Sequence, residues 1–190
     1  MTKPEQILQD MALYNAPDVR RIEHAMKVYA WASLFGVQEG LSERGLYTLQ
    51  LAAALHDIGI HEAEKKHHSS AGVYQELEGP AIARQLLSLR EVPAPVIERV
   101  CHLIGRHHTY TDIDGPDCQL LIEADFMVNI EEDALGRDAV ETIREKIFRS
   151  RTGIQALEAM YLGRMPAGAP FPFSGRCCGG FPCIFSKAPP

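Results

Sequence analysis

Apolar residues recur along this chain at helical spacing from residue 4 to residue 162, interrupted by glycine and proline. Residues 4–14 carry Ile7, Leu8, Met11 and Leu13 at partly helical spacing, which predicts a first helix. Asp18 suits the cap of a second, with Ile22, Ala25, Met26, Tyr29, Ala32 and Leu34 on a broad apolar face. Gly36 and Gly40 predict a break. Ser42, followed by Leu46, Leu49, Ala53 and Leu55, predicts a third helix ending near residues 57–59. Residues 60–75 are polar and rich in His and Lys, so they read as loop and short helix. Pro80 fits the first turn of a helix running to about Leu89. Pro93 and Pro95 interrupt before a helix from about Val96 to His107. Asp112, Asp114, Gly115 and Pro116 supply turn chemistry. Asp117 then suits the cap of a helix through Leu120, Leu121, Ala124, Phe126 and Val128. Segments of about 137–147 and 154–162 complete the series. Nothing alternates with period two for long and nothing repeats, so the expectation is an all-α helical bundle.

Composition changes at the C-terminal end. Residues 163–190 hold six of the twelve prolines and no acid. Their Arg164, Arg176 and Lys187 contribute +3, which leaves −9 on the body out of a net −6. The reading is one helical domain over 1–162 and an irregular tail over 163–190. The acidic balance gives no electrostatic case for a nucleic acid polymer or an anionic membrane as partner. A small anionic substrate stays compatible, because a metal and local Lys or Arg can reverse the local potential. No apolar run follows the N-terminus and none reaches membrane length, so neither a signal peptide nor a span is expected. Five cysteines without a regular framework point to a reducing cytoplasm.

The chemistry concentrates in one region. All eight histidines lie between residues 24 and 108. His56-Asp57 ends the apolar run that begins at Leu49. Two ionisable side chains at the end of a buried helix need something to bind, and a divalent metal is the simplest answer. The alternative is a capping and salt-bridge pair.

The set His24, His56-Asp57 and Asp125, with Ile58-Gly59, Arg21-Ile-Glu-His24 and Glu123-Ala-Asp125, resembles the HD-domain superfamily of metal-dependent phosphohydrolases over residues 18–130. Gln75-Glu-Leu-Glu-Gly-Pro80 looks like the equivalent segment of a small bacterial HD group. The resemblance implies an all-helical HD-domain bundle in which His24, His56, Asp57 and Asp125 bind one divalent ion. Two imidazoles and two carboxylates favour Mn, Fe, Co, Ni or Zn. Asn129 shares the helix face of Asp125 and could orient it. Resemblance to two-metal members brings in His68, four residues before Gly72, and the pair His107-His108 as a second site bridged by Asp57. At a helix end these two histidines would favour the imidazolium form without metal. His102 is off their face and reads as packing.

The chain departs from the commonest pattern after the dipeptide, with Ile60 and His61 where many members carry lysine next. Lys65, Lys66 or His61 are then the substitutes, against a reading as solvated surface. Neither the Gly-Tyr-Pro signature of the cyclic-di-GMP branch nor the Glu-Asp pair of the guanosine-tetraphosphate branch is present. Glu76 or Glu78 could act as base or outer ligand. The implied chemistry is hydrolysis of a small phosphate ester, by default of a nucleotide. Asp57 would orient or deprotonate water, and Arg21, Lys65, His107 or His108 would balance charge. The competing classes are a silent HD-fold nucleotide-binding or interaction module and a di-iron oxygenase. Cys177, Cys178 and Cys183 read as an unstructured tail rather than a metal site, for which Cys101 or Cys118 of the body would have to supply the fourth ligand. Phe171, Phe173, Phe181 and Phe185 could dock on the body or a twin, and a homodimer through helices such as 26–35 is open.

Overall fold

A computed structural model describes residues 2–165. The elements in order are α1 (Pro4–Asn15), α2 (Val19–Gln38), α3 (Glu43–Leu55), α4 (Ile60–His67), α5 (Gly72–Leu89), α6 (Ala94–Ile104), α7 (Gly115–Glu132), α8 (Arg137–Lys146) and α9 (Arg151–Leu157). A single π-helical turn over Glu158–Leu162 continues α9. No strand occurs among the described residues, so the all-α expectation holds.

α2 lies between α3 and α7, and α5 packs along α6. The core between them is aliphatic, with Val28, Phe35, Leu51, Leu55, Leu103, Ile104 and Leu121 fully buried. The caps that involve only neighbours in sequence form as expected. Asp18 accepts from Arg21 N at 3.2 Å, and Ser42 accepts from Gly45 N at 3.1 Å.

Four local expectations are corrected. α2 does not stop at Gly36, which is buried in the helix against Leu46 and Leu49, and the turn waits for Gly40 at φ +72°. The buried face of α2 is His24, Ala25, Val28, Ala32 and Phe35, while Met26 and Leu34 face outward with Val19 and Val37. α5 starts at Gly72, not at Pro80, so the proline sits in the helix interior. The α4–α5–α6 packing supplies what local propensity withholds there. Asp117 lies inside the first turn of α7, whose cap position is Asp114, and both carboxylates hold Arg99.

One close approach sets the turn after His56-Asp57. A Cβ on Gly59 would lie 2.5 Å from Gly79 N and 2.9 Å from Gln75 O, so α4 meets α5 backbone to backbone. Gly79 in turn presses on Ile104 of α6. This contact fixes where the dipeptide points relative to α5 and α6.

Among the described residues, no helix is long and apolar enough to cross a membrane. Cys101 and Cys118 are buried free thiols, and Cys101 Sγ donates to Pro80 O. Cys177, Cys178, Cys183 and the phenylalanines after 170 lie outside the described residues.

Candidate metal centre

His56 follows the last residue of α3, and the apolar run of that helix carries it to complete burial. Asp57 begins the tight turn into α4, where Ile60 N donates to its carbonyl at 3.0 Å. His24 comes from the second turn of α2 and Asp125 from the middle of α7, and both are buried. The packing of α2 between α3 and α7 therefore brings together all four residues of the expected first set.

Their polar atoms converge. His24 Nε2 lies 3.1 Å from His56 Nε2, 3.2 Å from Asp125 Oδ1 and 3.6 Å from Asp57 Oδ2. His56 Nε2 lies 3.5 Å from Asp57 Oδ2 and 3.6 Å from Asp125 Oδ1. His107 Nε2 approaches Asp57 from the other side, 3.3 Å from Oδ1.

The second nitrogen of each ring settles the tautomer. A backbone carbonyl only accepts, so His56 Nδ1 donates to Ala53 O at 2.9 Å and His107 Nδ1 donates to Ile104 O at 2.7 Å. His24 Nδ1 donates to the Glu132 carboxylate at 3.2 Å. In the neutral rings, all three Nε2 lone pairs then face two carboxylates across a few ångströms. That donor set fits a divalent cation, because lone pairs and carboxylates at such distances repel unless positive charge lies among them.

Protons supply that charge in the protein by itself. Burial opposes charging of His24, but the hydrogen bond to Asp125 and the charges of Asp57, Asp125 and Glu132 outweigh it and raise its pKa to about 9. Complete burial and the neighbouring His24 oppose charging of His56, but Asp57 and Asp125 outweigh them and raise it too. Burial also opposes ionisation of Asp57 and Asp125. Even so, His56 and His107 beside Asp57, and His24 and His56 beside Asp125, hold both carboxyls well below the usual range.

His24, His56 and Asp57 can each offer a ligand atom within 4.8 Å of the others, and so can Asp57, His107 and His108. His68 joins neither group. It ends α4 in the left-handed region at φ 53° and is exposed. His107 and His108 lie in the turn beyond α6, not at its end. Burial and the neighbouring His107 push His108 down to about 4, so it is a neutral imidazole, contrary to the imidazolium expected from a helix dipole. Its ring lies against α5, where a Cβ on Gly72 would come within 2.5 Å of it.

A cleft of about 450 Å³ opens on the cluster. Its wall includes Asp18, Arg20, Arg21, Ile60, Ser70, Gln75, Asn129, Glu132 and Asp133. Asn129 is where its spacing from Asp125 predicts. Arg21 reaches the cleft but is engaged by Asp18 at 3.1 Å, His61 at 3.0 Å and Glu64 at 2.6 Å. Lys65 is not brought to the site: its side chain is 78% exposed beside Glu62. Lys66 is held by Glu78 at 2.8 Å. Glu76 accepts from His108 N at 2.9 Å and from Thr109, so it braces the histidine turn rather than facing the cluster. His102 is on the surface, 3.4 Å from Asp114.

A family model for the HD domain matches residues 21–162. The chain belongs to the HD-domain family. No curated protein and no solved structure matches it. HD domains bind divalent metals and are mostly metal-dependent hydrolases, and the paired His/Asp groups of this HD domain are the candidate ligands.

Glu132, Gln75 and Ser70 line the cleft although none is expected there from sequence. Glu132 lies seven residues after Asp125, two helical turns along one face, and that spacing was the available signal. Gln75 carried no signal of its own. It is buried by α5 packing, donates to Ser70 O at 2.7 Å and places Oε1 3.4 Å from His108 Nε2.

Proposed function

We propose that this HD domain is a metal-dependent phosphohydrolase acting on a small phosphorylated substrate. The observation that carries the reading is the convergence of His24, Asp57 and Asp125 in the wall of one polar cleft, with the Nε2 atoms of His56 and His107 buried against them. His24, His56, Asp57 and Asp125 would hold the first ion, with Mn, Fe, Co, Ni or Zn favoured by the mixed N/O donors. His107 and His108 would add a second site that shares Asp57. When bound, a divalent ion supplies Lewis acidity toward a phosphoryl oxygen and an attacking water.

The chain's own residues do the rest. Asp57 turns one oxygen toward His24 and His56 and the other toward His107, so it can orient water and accept its proton. His107 Nε2, 3.3 Å behind Asp57, would share that proton with the carboxylate. Gln75 and Glu76 hold the His107–Thr109 turn in place for this. The cleft suits a nucleotide in size, and among the described residues Ile60 is the only apolar side chain in its wall, which supports a substrate recognised through phosphate and hydroxyl groups.

Metal content by elemental mass spectrometry, on protein purified without chelator or affinity nickel and beside Asp57→Ala, is the first test. One or two equivalents of transition metal, lost in the mutant, are expected. A screen of nucleotides and other phosphate esters with that ion should then show turnover that Asp57→Ala and His56→Ala abolish. No metal in either protein after reconstitution would sink the reading. Metal with saturable nucleotide binding and no turnover would favour the binding-module alternative.

A further inference from the structure

We propose that Arg20 binds the phosphate group of the substrate at the mouth of the cleft, a role the sequence assigns to Arg21 or to the lysines after the dipeptide. The inference rests on the phosphohydrolase reading for its substrate class, but its core is the charge balance of the cleft wall.

Among the described residues, two Lys or Arg side chains reach that wall, Arg20 and Arg21. The guanidinium of Arg21 is consumed by Asp18, His61 and Glu64, which tie the start of α2 to α4. Lys65 and Lys66 lie outside the cleft, the first in solvent and the second on Glu62 and Glu78. Arg20 alone is exposed, lines the cleft and makes no ion pair among the described residues.

Its position fits the purpose. Arg20 precedes His24 by four residues on α2, so it stands one turn away on the same side of the helix. A phosphate seated over the cluster is then within reach of a long side chain rooted at that turn. The guanidinium fork matches two phosphate oxygens at once, which a lysine does not.

The anions of the wall are largely spoken for, with one exception. Asp57 and Asp125 are matched by histidines, Asp18 by Arg21, and Glu132 by Lys27 and His24. Asp133 has no ion-pair partner among the described residues and lines the same cleft. At the mouth, Arg20 offsets the repulsion that Asp133 exerts on an entering phosphate dianion.

The test uses the full chain loaded with its metal and titrates inorganic phosphate into wild type, Arg20→Gln and Arg20→Lys by calorimetry. Arg20→Gln should weaken phosphate binding about tenfold to a hundredfold, the range for a lost charge-assisted pair. Arg20→Lys should recover part of it, since the charge returns without the fork. Metal content and thermal unfolding should stay as in wild type, because the side chain is exposed. With an ester that is turned over, KM should rise by a similar factor. Equal phosphate affinity in wild type and Arg20→Gln overturns the proposal, as does wild type that binds no phosphate. Loss of metal in Arg20→Gln also overturns it, since the residue would then act on the metal set. Arg20-dependent phosphate binding without turnover of any ester upholds the anion site and removes the hydrolase reading instead.

Discussion

Glu132 accepts a hydrogen bond from Nδ1 of His24 at 3.2 Å, while Asp125, two turns earlier on the same helix, meets Nε2 of that ring at 3.2 Å. One helix therefore grips both nitrogens of one imidazole. Lys27 holds the other oxygen of Glu132 at 3.0 Å, so the carboxylate is itself fixed. His56 and His107 are oriented differently, by backbone carbonyls that no side-chain substitution removes.

His24 is thus the ligand most open to loosening from outside the cluster. Glu132→Gln should lower metal affinity about tenfold to a hundredfold, the usual effect of losing a partner that orients a ligand histidine. Chelator competition reads this without any substrate. Unchanged affinity would show that Asp125 and the packing of α2 hold the ring alone.

The metal-free protein should depend on pH in a defined direction. His24 has its pKa raised to about 9 in the fold against an ordinary 6.5. A raised folded pKa means that the native state binds the proton more tightly than the unfolded chain. The resulting stability is fully present below about pH 6.5 and is lost as pH rises through about 9. Thermal unfolding in chelator should show Tm falling across that window. Metal replaces the proton, so metal-loaded protein should keep its Tm there, and the gap between the two should widen with pH. A gap that narrows would contradict the assignment of the proton to His24.

Gly72→Ala should disturb the site more than the fold. The added methyl would meet the His108 ring at 2.5 Å, so the ring must shift. Turning it away breaks the approach of His108 to Gln75. Turnover should fall at least about tenfold, while stability changes by less than about 2 kcal/mol, an ordinary single-mutation effect. The His108 imidazole signal in NMR should shift. An unmoved signal would mean that α5 yields instead.

Glu123 should act on the fold and leave the ligands in place. It is fully buried on α7 and accepts from Gln119 Nε2 at 2.8 Å, Arg149 N at 2.6 Å, Ser150 N at 2.8 Å and the Ser150 hydroxyl. It anchors the α8–α9 turn. Glu123→Ala strands several buried donors, which costs about 3 kcal/mol. A chain of this length should then lose about 6–12 °C in Tm. Metal stoichiometry of the folded protein should be unchanged.

The sequence by itself determined the helical class, most helix positions and the central set of His24, His56, Asp57 and Asp125. The helical class and the helix positions depend on local or periodic information, His56-Asp57 stands out locally, and His24 and Asp125 came from the resemblance to the HD-domain superfamily. Asp18 and Ser42 cap their own first turns, and an ionisable pair at the end of Leu49–Leu55 is anomalous wherever that helix packs. The tertiary structure decided the rest, because those features depend on partners distant in the chain. Which face of α2 is buried was set by α3 and α7 together, so Met26 and Leu34 face outward although their spacing is helical. α5 runs through Pro80 because it is packed against α4 and α6. His108 rather than His68 joins Asp57 because the turn beyond α6 folds back over Gly72, whereas the end of α4 points His68 into solvent. Arg20 and Arg21 are adjacent in sequence and alike in chemistry. They differ because Glu64 and His61, some forty residues away, accept from the guanidinium of one and leave the other free.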